Sequence, residues 1–124
     1  MNSPHVKTSE RKGAWTWIKE RVSSLVLIPL TLWAVVMGVA VTGMSHAEAL
    51  AYVASPLNAT VIVVVLLIAI YHMHLGFQVI IEDYLHGPAG KLSLAINTVA
   101  CIALAAASLV LVILIASASA PAGV

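Results

Sequence analysis

Charged residues are almost absent from most of this chain. Between Arg21 and Glu82 the only charged side chain is Glu48, and none follows Lys91. Three long apolar runs result, at 22–44, 57–81 and 92–116. Each run exceeds the roughly 20 residues that a helix needs to cross a hydrocarbon core about 30 Å thick. Because backbone groups in lipid must be hydrogen-bonded within the segment, the runs predict an all-α membrane protein with three transmembrane helices.

The composition excludes other classes of protein. Hydrophobic residues make up 61% of the chain and charged residues 9%, whereas an ordinary soluble domain has about 25% charged residues. The formal net charge is +1 and there is no basic cluster, which argues against a nucleic-acid partner. Cys101 is the only cysteine, so an internal disulfide and a cysteine-based metal cluster are excluded.

Turn and cap residues separate the three runs. They are Gly43, Ser45 and His46 after the first run, Ser55 and Pro56 before the second, and Gly87, Pro88 and Gly90 before the third. The predicted organisation is a cytoplasmic or interfacial segment at 1–20, a three-helix transmembrane anchor domain at 21–116 and a short tail at 117–124. Trp15 and Trp17 are expected at the depth of the lipid headgroups, which indole rings prefer.

A cleavable signal peptide is the alternative to a first transmembrane helix. Ala47, Ala49 and Ala51 offer A-x-A spacings after the first run. The apolar stretch of a signal peptide is about 7 to 15 residues long, whereas this run is longer and follows a charged segment. The pattern therefore favours a helix that stays in the membrane.

All 6 lysine and arginine residues fall on one predicted side of the membrane. Those before the first span are Lys7, Arg11, Lys12, Lys19 and Arg21, and the loop between the second and third spans holds Lys91. Because cytoplasmic loops are enriched in these residues, the N-terminus and the second loop are predicted to face the cytoplasm.

His72 lies inside the second apolar run, where an ionisable side chain needs a reason. At about 100° per residue, Gly76 lies about 40° and Asp83 about 20° from His72, so the three form one stripe. A glycine one turn from an imidazole is what a flat macrocycle approaching the helix requires. The stripe is compatible with haem ligation, and nearly as well with a histidine that is hydrogen-bonded to a neighbouring helix.

His74 points about 200° away from His72, so the two rings cannot ligate one iron from the same helix. His46 and His86 lie in loops, at the wrong depth for a second ligand. A haem with two histidine ligands at His72 would therefore need its second ligand from another chain. His74 itself is predicted to make a polar contact between helices.

Asp83 and Tyr84 end the second run about 16 to 18 Å along the helix from His72. Arg21 opens the first span at the same predicted interface, so the three side chains are expected to converge. Together they would supply a cation, a carboxylate that relays protons and a phenol that donates to a carbonyl oxygen. The alternative is an arginine-aspartate ion pair beside an interfacial tyrosine.

Residues 72–84 carry the pattern H-x3-G-x6-D-Y, which resembles the signature of the hydrophobic membrane anchor of succinate dehydrogenase, respiratory complex II. The Trp17, Arg21 and Pro29 region resembles the start of the alphaproteobacterial form. In the related cytochrome b556 anchor, an arginine-histidine pair typically follows the H-x3-G string. Phe77 and Gln78 stand there in this chain, which favours the hydrophobic membrane anchor over the cytochrome b556 type.

The resemblance implies half of a heterodimeric anchor bundle that holds a haem b and carries an iron-sulfur protein and a flavoprotein. It implies that His72 is an axial ligand of the haem iron, with Gly76 giving clearance. It further implies that Tyr84, Asp83 and Arg21 belong to a ubiquinone-binding site.

The implied function is that of a non-flavin component of succinate:ubiquinone oxidoreductase, without activity as a single chain. The expected location is the bacterial cytoplasmic (inner) membrane, with the mitochondrial inner membrane as the alternative. Two other functions remain open. One is the haem b anchor of another quinone-linked dehydrogenase or of a fumarate reductase, and the other is a non-catalytic membrane assembly protein whose histidines only join helices.

Three spans and a cytoplasmic N-terminus place the C-terminus on the opposite side. We expect cysteine labelling or a reporter fusion at Val124 to report the non-cytoplasmic side. A cytoplasmic signal at Val124 would contradict either the number of spans or the orientation.

Overall fold

A computed structural model describes the backbone of residues 4–118 and the side chains of residues 10–118. It contains four helices, α1 (Pro4–Val41), α2 (His46–Ala54), α3 (Pro56–Tyr84) and α4 (Gly87–Ala118), and the described part of the chain has no β-strand. Most of the predicted tail at 117–124 lies outside the described residues.

Three of the helices are long and apolar enough to cross a membrane: Glu10–Val41, Pro56–Tyr84 and Gly87–Ala118. The prediction of an all-α protein with three transmembrane helices is therefore confirmed. The 29 residues of α3 extend about 44 Å at about 1.5 Å per residue, more than the hydrocarbon thickness. Its last turns can consequently reach the membrane surface while its middle stays in the apolar core.

The surface of the bundle is mostly apolar. Many large hydrophobic side chains are exposed, among them Leu25, Ile28, Leu32, Val39, Ile96, Val99 and Leu114. Few residues are buried, and the hydrophobic ones are Met37, Ile70, Leu75, Cys101 and Val112. Such a surface would be unstable in water, whereas lipid or another apolar helix covers it without cost.

Helix α1 runs without a break from the charged N-terminal segment into the first apolar run. The sequence predicts this segment and the first span as separate parts, and the structure joins them in one helix. Trp15 and Trp17 are exposed, 61% and 58% respectively. The two indole rings are therefore free to contact groups outside the chain.

Helix α2 lies in the first loop, where the sequence pattern predicts only turn and cap residues. A capping box begins it: the Ser45 N–H donates to Glu48 Oε2 (2.8 Å), and the Glu48 N–H donates to Ser45 Oγ (3.3 Å). The bond from the Ser45 backbone, followed by the Ser45 side chain, lowers the pKa of Glu48 below its ordinary value. Asn58 Nδ2 donates to the Tyr52 carbonyl oxygen (2.9 Å), which ties α2 to the start of α3.

Helix α3 is central, because it packs against both α1 and α4. The turn that joins α3 to α4 is tight: Gly87 has a φ of 66°, a left-handed conformation that favours glycine. Gly90 is buried, and a Cβ there would lie 2.6 Å from the carbonyl oxygen of Leu85. The backbone of Leu85 can approach Gly90 this closely because Gly90 has no side chain.

We expect Gly90→Ala to destabilise the full chain by about 1 to 3 kcal/mol, since the new methyl group meets backbone rather than a movable side chain. Gly38→Ala is the matched control, because nothing lies within 4 Å of a Cβ at that position in α1. Thermal unfolding in detergent, followed by circular dichroism, compares the two variants. Equal melting temperatures would show that the turn yields to the methyl group.

Candidate functional site in the second transmembrane helix

His72 is half-buried on the side of α3 that packs against α1. Its Nδ1 lies 2.8 Å from Oγ of Ser23, a buried serine that is only 6% exposed. Ser23 Oγ also lies 2.9 Å from the carbonyl oxygen of Glu20, one turn earlier in α1. One ring nitrogen of His72 is thus engaged with α1, while the ring keeps a second nitrogen, Nε2.

Gly76 follows His72 by one turn and is half-buried. A Cβ on Gly76 would have nothing within 4 Å, so it would project into open space. The chain therefore leaves room beside the imidazole at the depth of the hydrocarbon core. A flat group that is ligated by His72 fits this arrangement sterically.

His74 belongs to the opposite face of α3. The Nδ2 atom of Asn97, in α4, makes two contacts with His74. It lies 3.1 Å from His74 Nδ1, and it donates to the His74 carbonyl oxygen at 3.1 Å. Asn97 is 9% exposed, and the thiol of Cys101 lies 3.6 Å from its Oδ1. The prediction that His74 makes a polar contact between helices is confirmed.

The described residues include no group of three or more His, Cys, Asp or Glu side chains that could hold a metal ion. His72 and His74 face different neighbours, α1 and α4, so the two rings do not converge on one metal ion.

A pocket of about 570 Å³, lined mainly by charged and polar residues, lies between the N-terminal part of α1 and the end of α3. From α1 it is lined by Lys12, Gly13, Trp15, Thr16, Trp17, Lys19 and Glu20, and from α3 by Gln78, Val79, Glu82 and Asp83. Within it, Gln78 Nε2 donates to Glu82 Oε1 (2.9 Å). The structure thus places Asp83 in a cleft with both charge signs, near the end of a transmembrane helix.

Arg21 and Tyr84 do not line this pocket. The guanidinium carbon of Arg21 lies 5.5 Å from the ring centroid of Trp17, a cation–π distance, and Trp17 is part of the lining. Tyr84 is the last residue of α3 and is 78% exposed. The structure therefore brings Trp17 and Asp83 to one pocket, whereas Arg21 lies only two residues before Ser23, the partner of His72, and the Tyr84 side chain is largely exposed.

Ser23 and Asn97 are the polar contacts that sequence reasoning misses. Both are small polar residues within apolar runs, where hydroxyl and amide side chains commonly bond their own backbone or a neighbouring helix. No pattern in the sequence separates Ser23 from the adjacent Ser24. Only the packing of α1 on α3 makes one of them the partner of His72.

Comparisons with known proteins agree with one another. Residues 1–115 match the family described as succinate dehydrogenase/fumarate reductase transmembrane subunit. The chain is 26% identical over 77 residues to the succinate dehydrogenase hydrophobic membrane anchor subunit of Rickettsia bellii, a match that covers 62% of each protein. It is 27% identical over 79 residues to the protein of the same name from Rickettsia typhi, covering 64% of this chain and 63% of that protein. These matches span less than two thirds of either relative, and no solved structure matches the chain.

Asn97→Leu should destabilise the bundle by about 0.6 to 2 kcal/mol, because it leaves His74 without its partner in apolar surroundings. Thr98→Val is the control, since Thr98 Oγ1 bonds only the Leu94 carbonyl oxygen of its own helix. Thermal unfolding of both variants in the same detergent provides the measurement. A Thr98→Val loss as large as that of Asn97→Leu would contradict a specific link between α3 and α4.

Proposed function

Since the chain belongs to the family of succinate dehydrogenase/fumarate reductase transmembrane subunits, we propose that it is the membrane anchor of a succinate:ubiquinone oxidoreductase. In this proposal it contributes an axial ligand to a haem b and part of the ubiquinone-reduction site. The observation that carries the proposal is that His72 and Asp83 lie at different depths on the same helix, α3. His72 lies within the apolar span of α3, one turn from the open space at Gly76, and Asp83 lies about 16 Å further along the helix in a pocket lined mainly by charged and polar residues.

His72 is the residue that would hold the haem. Nδ1 is engaged with Ser23, Nε2 remains for the iron, and Gly76 leaves space for the macrocycle. Asn97 holds His74 on the opposite face of α3, so the second ligand would come from a partner anchor of the cytochrome b556 type. When bound, the haem supplies a one-electron carrier within the membrane.

Asp83, Tyr84 and Arg21 would serve the quinone. The exposed hydroxyl of Tyr84 would donate a hydrogen bond to a carbonyl oxygen of ubiquinone bound outside this chain. Asp83, in a pocket that also contains Lys12, Lys19 and Glu82, would pass protons from water to the reduced oxygen. Arg21, next to Trp17, would add a positive charge near the developing negative charge.

The division of labour follows from where these groups lie. A flavoprotein partner would oxidise succinate, and an iron-sulfur partner would carry the electrons to the membrane surface. Reduction of ubiquinone to ubiquinol takes up two electrons and two protons, so a site within reach of water is required. The charged and polar residues that line the pocket at the end of α3 support a site there.

We place the protein in the bacterial cytoplasmic membrane, with its N-terminus in the cytoplasm. The proposed organisation is an interfacial segment at 1–20, an anchor domain at 21–116 and a short tail at 117–124. The exposed tryptophans near the start of the described side chains suit headgroup depth.

Fumarate reduction is the second candidate, because the matched family includes transmembrane subunits of both enzymes. The two relatives described above are both named as succinate dehydrogenase anchors, which favours succinate oxidation. Assays of the purified complex with succinate and ubiquinone, and with fumarate and a reduced quinone, separate the two.

Two substitutions on α3 separate the proposed roles. His72→Leu should abolish or alter the b-type spectrum of the assembled complex, because leucine has no lone pair for iron. Tyr84→Phe should leave that spectrum intact and lower succinate-to-quinone activity several-fold to a hundred-fold, because one hydrogen bond to the quinone, of about 0.5 to 1.5 kcal/mol or more if charged, is lost. Succinate oxidation by an artificial acceptor that takes electrons before the membrane should be unchanged.

Each variant has a control on the same helix. Tyr71→Phe removes a partly exposed phenol within the span and should leave quinone reduction unchanged. His74→Leu should reduce stability while the assembled fraction keeps its haem spectrum. A wild-type spectrum in His72→Leu would overturn the haem assignment. Unchanged quinone reduction in a fully assembled Tyr84→Phe complex would show that Tyr84 only anchors the helix at the membrane interface.

A further inference from the structure

We propose that Ser23 is a positioning residue for His72, one that fixes its tautomer and ring rotation so that Nε2 is presented to the haem iron. This inference rests on the proposed function, and it assigns a role to a residue of the first transmembrane helix. It makes α1 a part of the haem site, although α1 supplies no ligand.

The contact is specific and shielded. Ser23 is one of the few buried polar side chains, and its Oγ lies 2.8 Å from His72 Nδ1. Because Ser23 is only 6% exposed, water has little access to this hydrogen bond. A hydrogen bond in such surroundings is stronger than one that competes with water.

The available protons decide its direction. Ser23 Oγ lies 2.9 Å from the Glu20 carbonyl oxygen, which only accepts, so the serine hydroxyl proton has an acceptor within α1. With its own proton donated to Glu20, Ser23 Oγ is left as an acceptor for His72. The imidazole then carries its proton on Nδ1, and Nε2 keeps a lone pair.

The opposite arrangement is less favourable. If Ser23 donated to Nδ1, the bond to Glu20 would be lost and the single ring proton of a neutral imidazole would sit on Nε2, where it blocks the iron. Neighbouring Ser24 also approaches the Glu20 carbonyl oxygen, but it has the Arg21 carbonyl oxygen as another acceptor at 3.0 Å. The hydroxyl of Ser24 therefore need not displace that of Ser23.

The bond has an electronic consequence. A histidine that donates its other ring N–H to an acceptor is held in orientation and becomes a more basic ligand. A more basic ligand favours ferric over ferrous iron, so the loss of the acceptor raises the midpoint potential of the haem. A rise in the midpoint potential therefore distinguishes an effect of Ser23 on the iron ligand from an effect on helix packing alone.

The test is a redox titration of the haem in the assembled complex, together with its low-spin electron paramagnetic resonance spectrum. Ser23→Ala should raise the midpoint potential and shift the resonance positions. If the ratio of ferric to ferrous haem at a given potential falls roughly tenfold, the midpoint potential rises by about 59 mV, because the couple transfers one electron. Ser23→Thr keeps the hydroxyl and should stay near wild type.

Ser24→Ala is the matched control, because Ser24 has the same kind of bond to the α1 backbone, whereas the hydrogen bond to His72 is made by Ser23. Wild-type potential and resonance positions in Ser23→Ala would overturn the inference, as would equal shifts in Ser23→Ala and Ser24→Ala. If Ser23→Ala does not assemble, Ser23→Cys gives the measurement, because a thiol is a weaker acceptor of similar size. For Ser23→Cys too, wild-type values, or shifts equal to those of Ser24→Ala, would overturn the inference.

The failure of this inference differs from the failure of the proposed function. If His72 is no ligand, His72→Leu leaves the haem spectrum unchanged. If His72 is a ligand but Ser23 does not position it, His72→Leu changes the spectrum while the Ser23 variants behave like Ser24→Ala.

Discussion

A polar side chain in hydrocarbon needs a hydrogen-bond partner from protein, because the lipid offers none. Helix α3 carries two histidines in its apolar span, and each is paired with a different neighbour. His72 bonds Ser23 of α1, and His74 bonds Asn97 of α4. These two contacts restrict the rotation of α3 between its neighbours, and the direction of every other group on α3 depends on that rotation.

The same helix separates two kinds of chemistry by depth. His72 lies within the apolar span of α3, and the missing side chain of Gly76, one turn away, leaves open space. About 16 Å further along, Asp83 lies in a pocket that contains lysine side chains from α1 and glutamate side chains from both helices. A one-electron carrier benefits from exclusion of water, whereas a quinone that takes up protons requires access to it. One continuous helix can therefore serve both needs without a further domain.

The spans and the opposite directions of the two histidines could be predicted from the sequence, because charge distribution and helical period act locally. Helix α2 could also have been predicted, since Ser45 and Glu48 have capping-box spacing. The contacts of Ser23 and Asn97 could not have been predicted, because they depend on which faces of separate helices meet. The convergence of Arg21, Asp83 and Tyr84 stays a prediction: only Asp83 lines the pocket, and Arg21 lies two residues before Ser23, the partner of His72.

In the function proposed for this chain, it supplies one half of a haem site and a partner anchor supplies the other. The most direct measurement is a reduced-minus-oxidised spectrum, with haem quantified per chain, for the purified monomer and for the chain co-purified with its partner anchor. We predict stoichiometric six-coordinate haem b only in the pair. Stoichiometric six-coordinate haem b in the isolated monomer would contradict this division, because His74 faces α4 on the opposite side of α3 and the other described histidines, His46 and His86, lie in the loops between the spans.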